Sequence, residues 1–367
     1  MLAVVVLPRG LAAQAPTAWR IADAPIVSVG ANDEFASITS GAFFGDGSFV
    51  IGDARSYRVS VFDAAGRVQR TIGRSGSGPG EFRNLAWALP YRADSIATYD
   101  RAQRRLTVFS RAGIPARSVI LGSPGEGWAP EALALLDDGR IVVRTTRSIG
   151  GEQAAPGIHA AAMAVWIYSP AGAPAARIAG DLVGEEWVRL ATPSLLMGRP
   201  FATVSLVASR DARIFVADSA DAPIRVLAAT GEELRRIGAR ATTRVTSSAH
   251  VAAYRESRLV EARQSSGADA VATQSRILDA IPFPPRVPPL RRLMVDRDGR
   301  LWAEEYPAPR APRQRFRVYA PDGRLLAHAV GPERGRVLDA HGDRVLVAWS
   351  DADGAPHVRV HRFTPEP

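Results

Sequence analysis

The chain has 367 residues, 46% hydrophobic and 23% charged, with a formal net charge of +9, a composition that excludes a disordered or low-complexity protein. It contains no cysteine, which removes disulfide frameworks, thiolate metal sites and anchoring through a lipid-modified cysteine. Every basic side chain other than histidine is arginine, scattered singly or in pairs such as Arg104-Arg105, Arg235-Arg236 and Arg291-Arg292. A surface that tracks nucleic-acid phosphates needs clustered charge, so nucleic acid is not an expected partner.

Residues 1–15 are apolar up to Ala13-Gln14-Ala15, the small-x-small pattern of a signal-peptidase site. The expectation is an exported protein, periplasmic or extracellular, whose mature domain runs over residues 16–367. No later stretch reaches the ~18 apolar residues that a membrane span requires, so no transmembrane segment is expected in the mature chain.

Next comes Pro25-Ile26-Val27-Ser28-Val29-Gly30, a strand with no partner strands before it. Its order returns at Val68-Gln69-Arg70-Thr71-Ile72-Gly73, where it closes a repeat. The repeat unit is clearest at Arg58-Val59-Ser60-Val61-Phe62, followed by Gly66. Related forms are Leu106-Thr107-Val108-Phe109 with Gly113, Val165-Trp166-Ile167-Tyr168 with Gly172, Ile224-Arg225-Val226-Leu227 with Gly231, and Phe316-Arg317-Val318-Tyr319 with Gly323. A hairpin ending in a left-handed residue accounts for the constant glycine position. Inner hairpin turns are expected at Gly45-Asp46-Gly47, Arg92-Ala93-Asp94, Asp137-Asp138-Gly139, Ser209-Arg210-Asp211, Asp296-Arg297-Asp298-Gly299 and His341-Gly342-Asp343. Each is flanked by apolar strands. The long interval between Leu227 and Tyr319 holds an insertion, residues 244–289, in which Ser248 to Ala262 and Ala268 to Ile281 read as helices and a proline run follows.

These units predict an all-β fold, a six-bladed β-propeller of four-stranded blades. The N-terminal strand would close the last blade, and the helical insertion would lie between blades four and five. Gly76-Ser77-Gly78-Pro79-Gly80-Glu81-Phe82 is similar to the inter-blade loop of bacterial NHL-type six-bladed propellers. Ile214-Phe215-Val216-Ala217-Asp218 and Met294-Val295-Asp296-Arg297-Asp298-Gly299-Arg300-Leu301-Trp302 resemble their inner and middle strands. The resemblance covers about residues 25–363 and implies fold more than function, since propellers of this class range from binding proteins to lyases. Where family repeats place an asparagine before the third strand, this chain has Arg58, Arg105, Pro223 and Arg315.

Two groups of residues are candidates for a site. Asp53, Asp100, Asp218 and Glu304 end second strands, so in a propeller they would face the side that carries the insertion. There they could ring a divalent cation such as calcium; alternatively they accept from loop amides or pair with the arginine that opens the next strand, as Asp53 with Arg58 or Asp100 with Arg105. His250, Tyr254, Arg255 and Arg258 lie in the insertion, where they could line a ligand pocket over the channel or simply pack a helix onto the sheets. Asp296-Arg297-Asp298-Gly299 and Asp351-Ala352-Asp353-Gly354 lack the spacing of a calcium loop and read as turns. Glu185-Glu186 reads as an inter-blade loop, and the glycines at 73–80 lack phosphate-loop spacing. The function expected is a soluble binding module for a protein, glycan or small anionic ligand, using its insertion-bearing face. The alternative is a metal-dependent propeller enzyme, a lyase or lactone hydrolase.

Overall fold

The computed structural model describes residues 16–30, 35–150, 154–191, 194–218, 221–238, 243–311, 313–333, 335–351 and 353–365; the signal-like segment 1–15 lies outside them. Antiparallel sheets follow one another along the chain. The first holds Ile38–Phe43, Phe49–Asp53, Arg58–Phe62 and Val68–Ile72, and the second Leu85–Tyr91, Ser95–Asp100, Arg105–Ser110 and Pro115–Ile120. The third holds Trp128–Leu135, Ile141–Arg147, Gly157–Tyr168, Pro174–Leu190 and a short added strand, Leu195–Gly198. Next is the set Ser205–Arg210, Arg213–Asp218, Asp221–Ala228 and Glu233–Ile237, and after it Leu290–Val295, Leu301–Glu305, Arg313–Tyr319 and Leu325–Glu333. The last contains Gly335–His341, Arg344–Ser350 and Pro356–Pro365, to which Val27–Val29 adds in antiparallel register, Val27 opposite Val360.

The apolar clusters explain why these strands read as nearly continuous hydrophobic runs. Each cluster is shared by two successive sheets: Val50, Val61 and Ile72 pack on Leu85, Ile96 and Phe109, and Tyr99 and Leu106 pack on Ala132 and Ile141. Phe43, Phe49 and Phe62 pack on Leu346, Val358 and Val360, which brings the last sheet against the first. A strand buried on both faces, such as Phe49–Asp53, has no solvent side to mark with polar residues. The result is an all-β propeller.

The repeated glycines have two roles. Gly66, Gly113, Gly172, Gly231 and Gly323 all have φ between +83° and +92°, which strains any residue with a Cβ. They also sit against the outer strand of the preceding sheet: a Cβ at Gly172 would stand 2.5 Å from the Ile120 carbonyl oxygen, and one at Gly323 2.4 Å from Ile237. At Gly66 the neighbour is Val27, at 2.5 Å. Val27–Val29 therefore occupies the outer-strand position of the last sheet relative to the first.

Two features depart from the sequence reading. Glu185-Glu186 is not a loop; it lies within Pro174–Leu190, a 17-residue strand that with Gly157–Tyr168 forms an arm extending the third sheet. Buried Ala179, Leu182, Val188 and Leu190 keep that strand packed from its middle to its end. Thr17–Ile21 is a further strand, parallel to Leu325–Glu333 and antiparallel to the end of Pro356–Pro365. Trp19 fixes it there, its ring 4.7 Å from Phe363 and 6.1 Å from Trp302.

The insertion opens with a short pair, Arg244–Val245 with Arg286–Val287, that brackets helical residues Ser248–Ala280. Ser247 caps the N-terminus with its side chain. A straight helix rises about 1.5 Å per residue, so Arg255 and Asp279 would lie about 36 Å apart. Instead Arg255 donates to the Leu278 carbonyl at 3.2 Å and pairs with Asp279, so the helical segment doubles back into two antiparallel arms. Among the described residues, no helix is long and apolar enough to cross a membrane.

Candidate functional site

The strand-end acids are held one by one. Asp53 is buried and accepts from the amides of Ala36 at 2.7 Å, Ser37 at 2.8 Å, Arg55 at 3.1 Å and Ser56 at 3.3 Å. Burial alone would raise its pKa, but these donors outweigh it and hold the carboxyl below its usual value. Asp100 is held alike, by the amides of Arg83, Asn84 and Gln103 at 2.7 to 2.9 Å. Asp53 and Asp100 face Arg58 and Arg105 across the strand pair through the backbone, while the Arg105 guanidinium reaches the Ser77 carbonyl. Glu304 takes Arg292 Nε at 2.9 Å and Gln314 Nε2 at 2.8 Å. Asp218 ends its strand by backbone pairing, and its side chain lies outside the described residues. Among the described residues, no three histidine or carboxylate groups come together in a way that could hold a metal ion.

In the insertion, His250 belongs to the helix cap: the Ser247 amide donates to Nδ1 at 3.2 Å. Burial and the nearby Arg244 lower its pKa. Tyr254 lies 5.7 Å from the ring of Phe201, which also meets Phe283 at 5.7 Å, Tyr306 at 5.9 Å and His250 at 6.2 Å. This ring cluster docks the helical arms onto the sheets, with burial raising the pKa of both Tyr254 and Tyr306. Arg255 clamps the two arms together and Arg258 pairs with Glu261 at 2.6 Å. The structure thus brings His250 and Tyr254 together around Phe201, a residue the sequence does not single out, and places Arg255 and Arg258 between or upon the arms. Arg258 borders a shallow groove between them with Gln274.

The cavity with the most definite chemistry is the channel enclosed by the innermost strands. It has a volume of about 430 Å³ and is lined by Ala42, Leu89, Leu133, Leu135, Val207, Leu293, Met294 and Leu338, with Trp87 and Tyr91. It opens on the side of the inner hairpin turns, opposite the strand-end acids, where Arg92, Asp137, Asp211 and Arg297 stand. Within this apolar wall lies an ion pair that reaches past the intervening sheet of residues 290–333: Arg210 Nη1 meets Asp339 Oδ1 at 3.3 Å and the Val295 carbonyl at 2.9 Å. The Phe43 amide donates to Asp339 Oδ2 at 2.9 Å. Full burial pushes the Asp339 carboxyl up to about 6 against the opposing effect of Arg210. Asp296, also buried, is held by Trp302 Nε1 at 2.7 Å and Arg300 Nε at 2.6 Å and serves the turn that follows it. Sequence reasoning placed Arg210 in a turn and had no signal for Asp339, because their contact spans 129 residues.

Residues 34–115 match the profile of a family described as a 6-bladed beta-propeller. That segment includes the glycine-rich loop 76–82, one of the stretches that carry the NHL-type resemblance. No curated protein sequence matches the chain. Among solved structures, a protein of Bacteroides fragilis described as exported is 11% identical, with 95% of this chain and 96% of that chain covered and a TM-score of 0.49. The calcium-binding protein regucalcin of Agrobacterium tumefaciens is 10% identical (96% and 98% covered, TM-score 0.46). Virginiamycin B lyase of Staphylococcus aureus is also 10% identical (94% and 99% covered, TM-score 0.45). At these identities and scores, none of them bears on what the chain does. The chain is a β-propeller protein, as its own strand pairing and the family match indicate.

Proposed function

We propose that the chain is an exported binding module, a six-bladed propeller with its helical insertion between blades four and five. Its ligand is a small molecule with an apolar body and one carboxylate, which enters the channel from the hairpin side. The observation that carries this reading is the unused edge of Arg210. Nη1 holds Asp339 and the Val295 carbonyl, Nε and Nη2 have no partner among the described residues, and Arg210 lines the cavity. That edge has the fork geometry that receives a carboxylate in two parallel hydrogen bonds. Leu133, Val207 and Leu293 supply the wall for the apolar body.

Phenylacetate is a suitable probe, titrated calorimetrically at pH 5.5 and 7.5. Ionised Asp339 already neutralises Arg210 and repels a second carboxylate across the same guanidinium. Protonation below about 6 removes that repulsion, and affinity should rise about tenfold at the lower pH. Arg210→Gln and Ala208→Phe, the second of which fills the channel without touching the ion pair, should each abolish binding. No binding at millimolar concentration, or binding unchanged in both variants, removes the channel as the ligand site.

A further inference from the structure

On the opposite side of the propeller, where the insertion emerges, positive charge accumulates in a way the channel reading does not use. Arg291 and Arg292 open one innermost strand and Arg336 lies at the start of the next. The acid set among them is Glu304. Arg292 takes one of its oxygens at 2.9 Å and Gln314 the other at 2.8 Å, while Arg291 stays 3.8 Å away. Arg336 has no carboxylate partner among the described residues; its Nη2 donates to the Ile38 carbonyl at 2.8 Å. Three guanidinium groups around one carboxylate leave a local excess of two positive charges. Burial, with the neighbouring Arg292 and Arg291, pulls Arg336 down to about 10. Such repulsion in a partly desolvated place is costly unless an anion relieves it.

The space for that anion is present. A pocket of about 420 Å³ is lined by Arg291, Arg336, Gln314, Ser350 and Trp349. Arg359, behind the pocket, stands 3.5 Å over the ring of the lining Trp349, and its buried Nε has no partner among the described residues. We infer that this pocket, between the starts of the innermost strands at Arg291 and Arg336, binds a tetrahedral oxyanion of charge two, of the phosphate-monoester class. A dianion matches the excess charge, whereas a carboxylate would leave half of it. Two guanidinium forks can receive three or four oxygens at once, with the Ser350 hydroxyl at the rim.

The test titrates the full mature chain with inorganic phosphate at constant ionic strength held by chloride, following the unfolding midpoint and the heat of binding. Acetate serves as the singly charged control. The expected result is a saturable rise with phosphate and a smaller or absent one with acetate. Arg336→Gln should weaken phosphate at least tenfold, the loss expected for a hydrogen bond to a charged group, and Arg336→Lys should restore part of it. If Arg336→Gln does not fold, Arg291→Gln, at a half-exposed residue bonded to no carbonyl among the described residues, should show the same direction. A phosphate effect no larger than that of chloride, or one unchanged in both Gln variants, overturns the proposal. The two sites separate by competition: phenylacetate in the channel and phosphate here should bind together with additive heats. Mutual exclusion would place the phosphate in the channel and overturn this site, whereas failure of phenylacetate alone leaves the phosphate titration as it stands.

Discussion

Asp53 and Asp339 are both buried carboxylates on the inner two strands of their sheets, yet they lie on opposite sides of the propeller and are held differently. On the strand-end side, Asp53 gathers four amides from the segments that precede Ile38–Phe43 and follow Phe49–Asp53. On the channel side, Asp339 has one amide and one guanidinium contact at 3.3 Å. The first arrangement keeps a carboxylate ionised and closes the loops. The second leaves a carboxyl raised to about 6 beside the channel. Burial of a charge alone therefore does not distinguish a structural acid from a candidate ligand-binding one; its donors do.

The largest effect should come from breaking the strand-end side. Asp53→Ala removes the acceptor for four amides and should cost about 3 kcal/mol, read as a lower denaturation midpoint in urea. Phe201→Ala, at the centre of the ring cluster, should cost about 3 kcal/mol, and it should speed amide exchange in Ser248–Ala280 well before the sheets respond. If exchange in the arms stays slow, the rings do not hold the insertion. On the channel side the effect is smaller and depends on pH. The Asp339 carboxyl lies near 6 in the folded chain against about 3.9 unfolded, so the folded state takes up the proton more readily. Its contribution to stability is complete below about 4 and is lost as pH rises through 6. Lowering the pH from 7 to 5 should thus stabilise the protein by about 1 kcal/mol through this group, and Asp339→Asn should flatten that part of the profile. The smallest effect returns to the strand-end loops, where Arg104 sits at φ +49°. Arg104→Gly relieves the left-handed strain and should raise stability by about 0.5 kcal/mol.

That last position shows how close a sequence reading can come and still miss. Family repeats favour asparagine just before the third strand, and aligning strands put Arg58 and Arg105 there. The left-handed residues are Tyr57 and Arg104, one place earlier, where asparagine would be favoured because it tolerates this conformation. The acids at strand ends were legible for the same local reason: Asp53 and Asp100 follow apolar runs and precede turns. What their carboxylates touch was open, since loop amides, arginines and a shared cation make the same demand on the sequence.

By itself the sequence determined the repeat. A glycine four residues past five of the third strands, apolar runs of strand length and an orphan N-terminal strand at 25–30 are local properties, set by positive φ, by the close approach of the preceding sheet and by burial on both faces. Only the tertiary structure decided which distant side chains share a cavity. Arg210 meets Asp339, Phe201 meets Tyr254, and Arg291 and Arg336 line one pocket, each across separate sheets or across an insertion. Contacts that ring closure makes between distant segments leave no periodic trace in the chain.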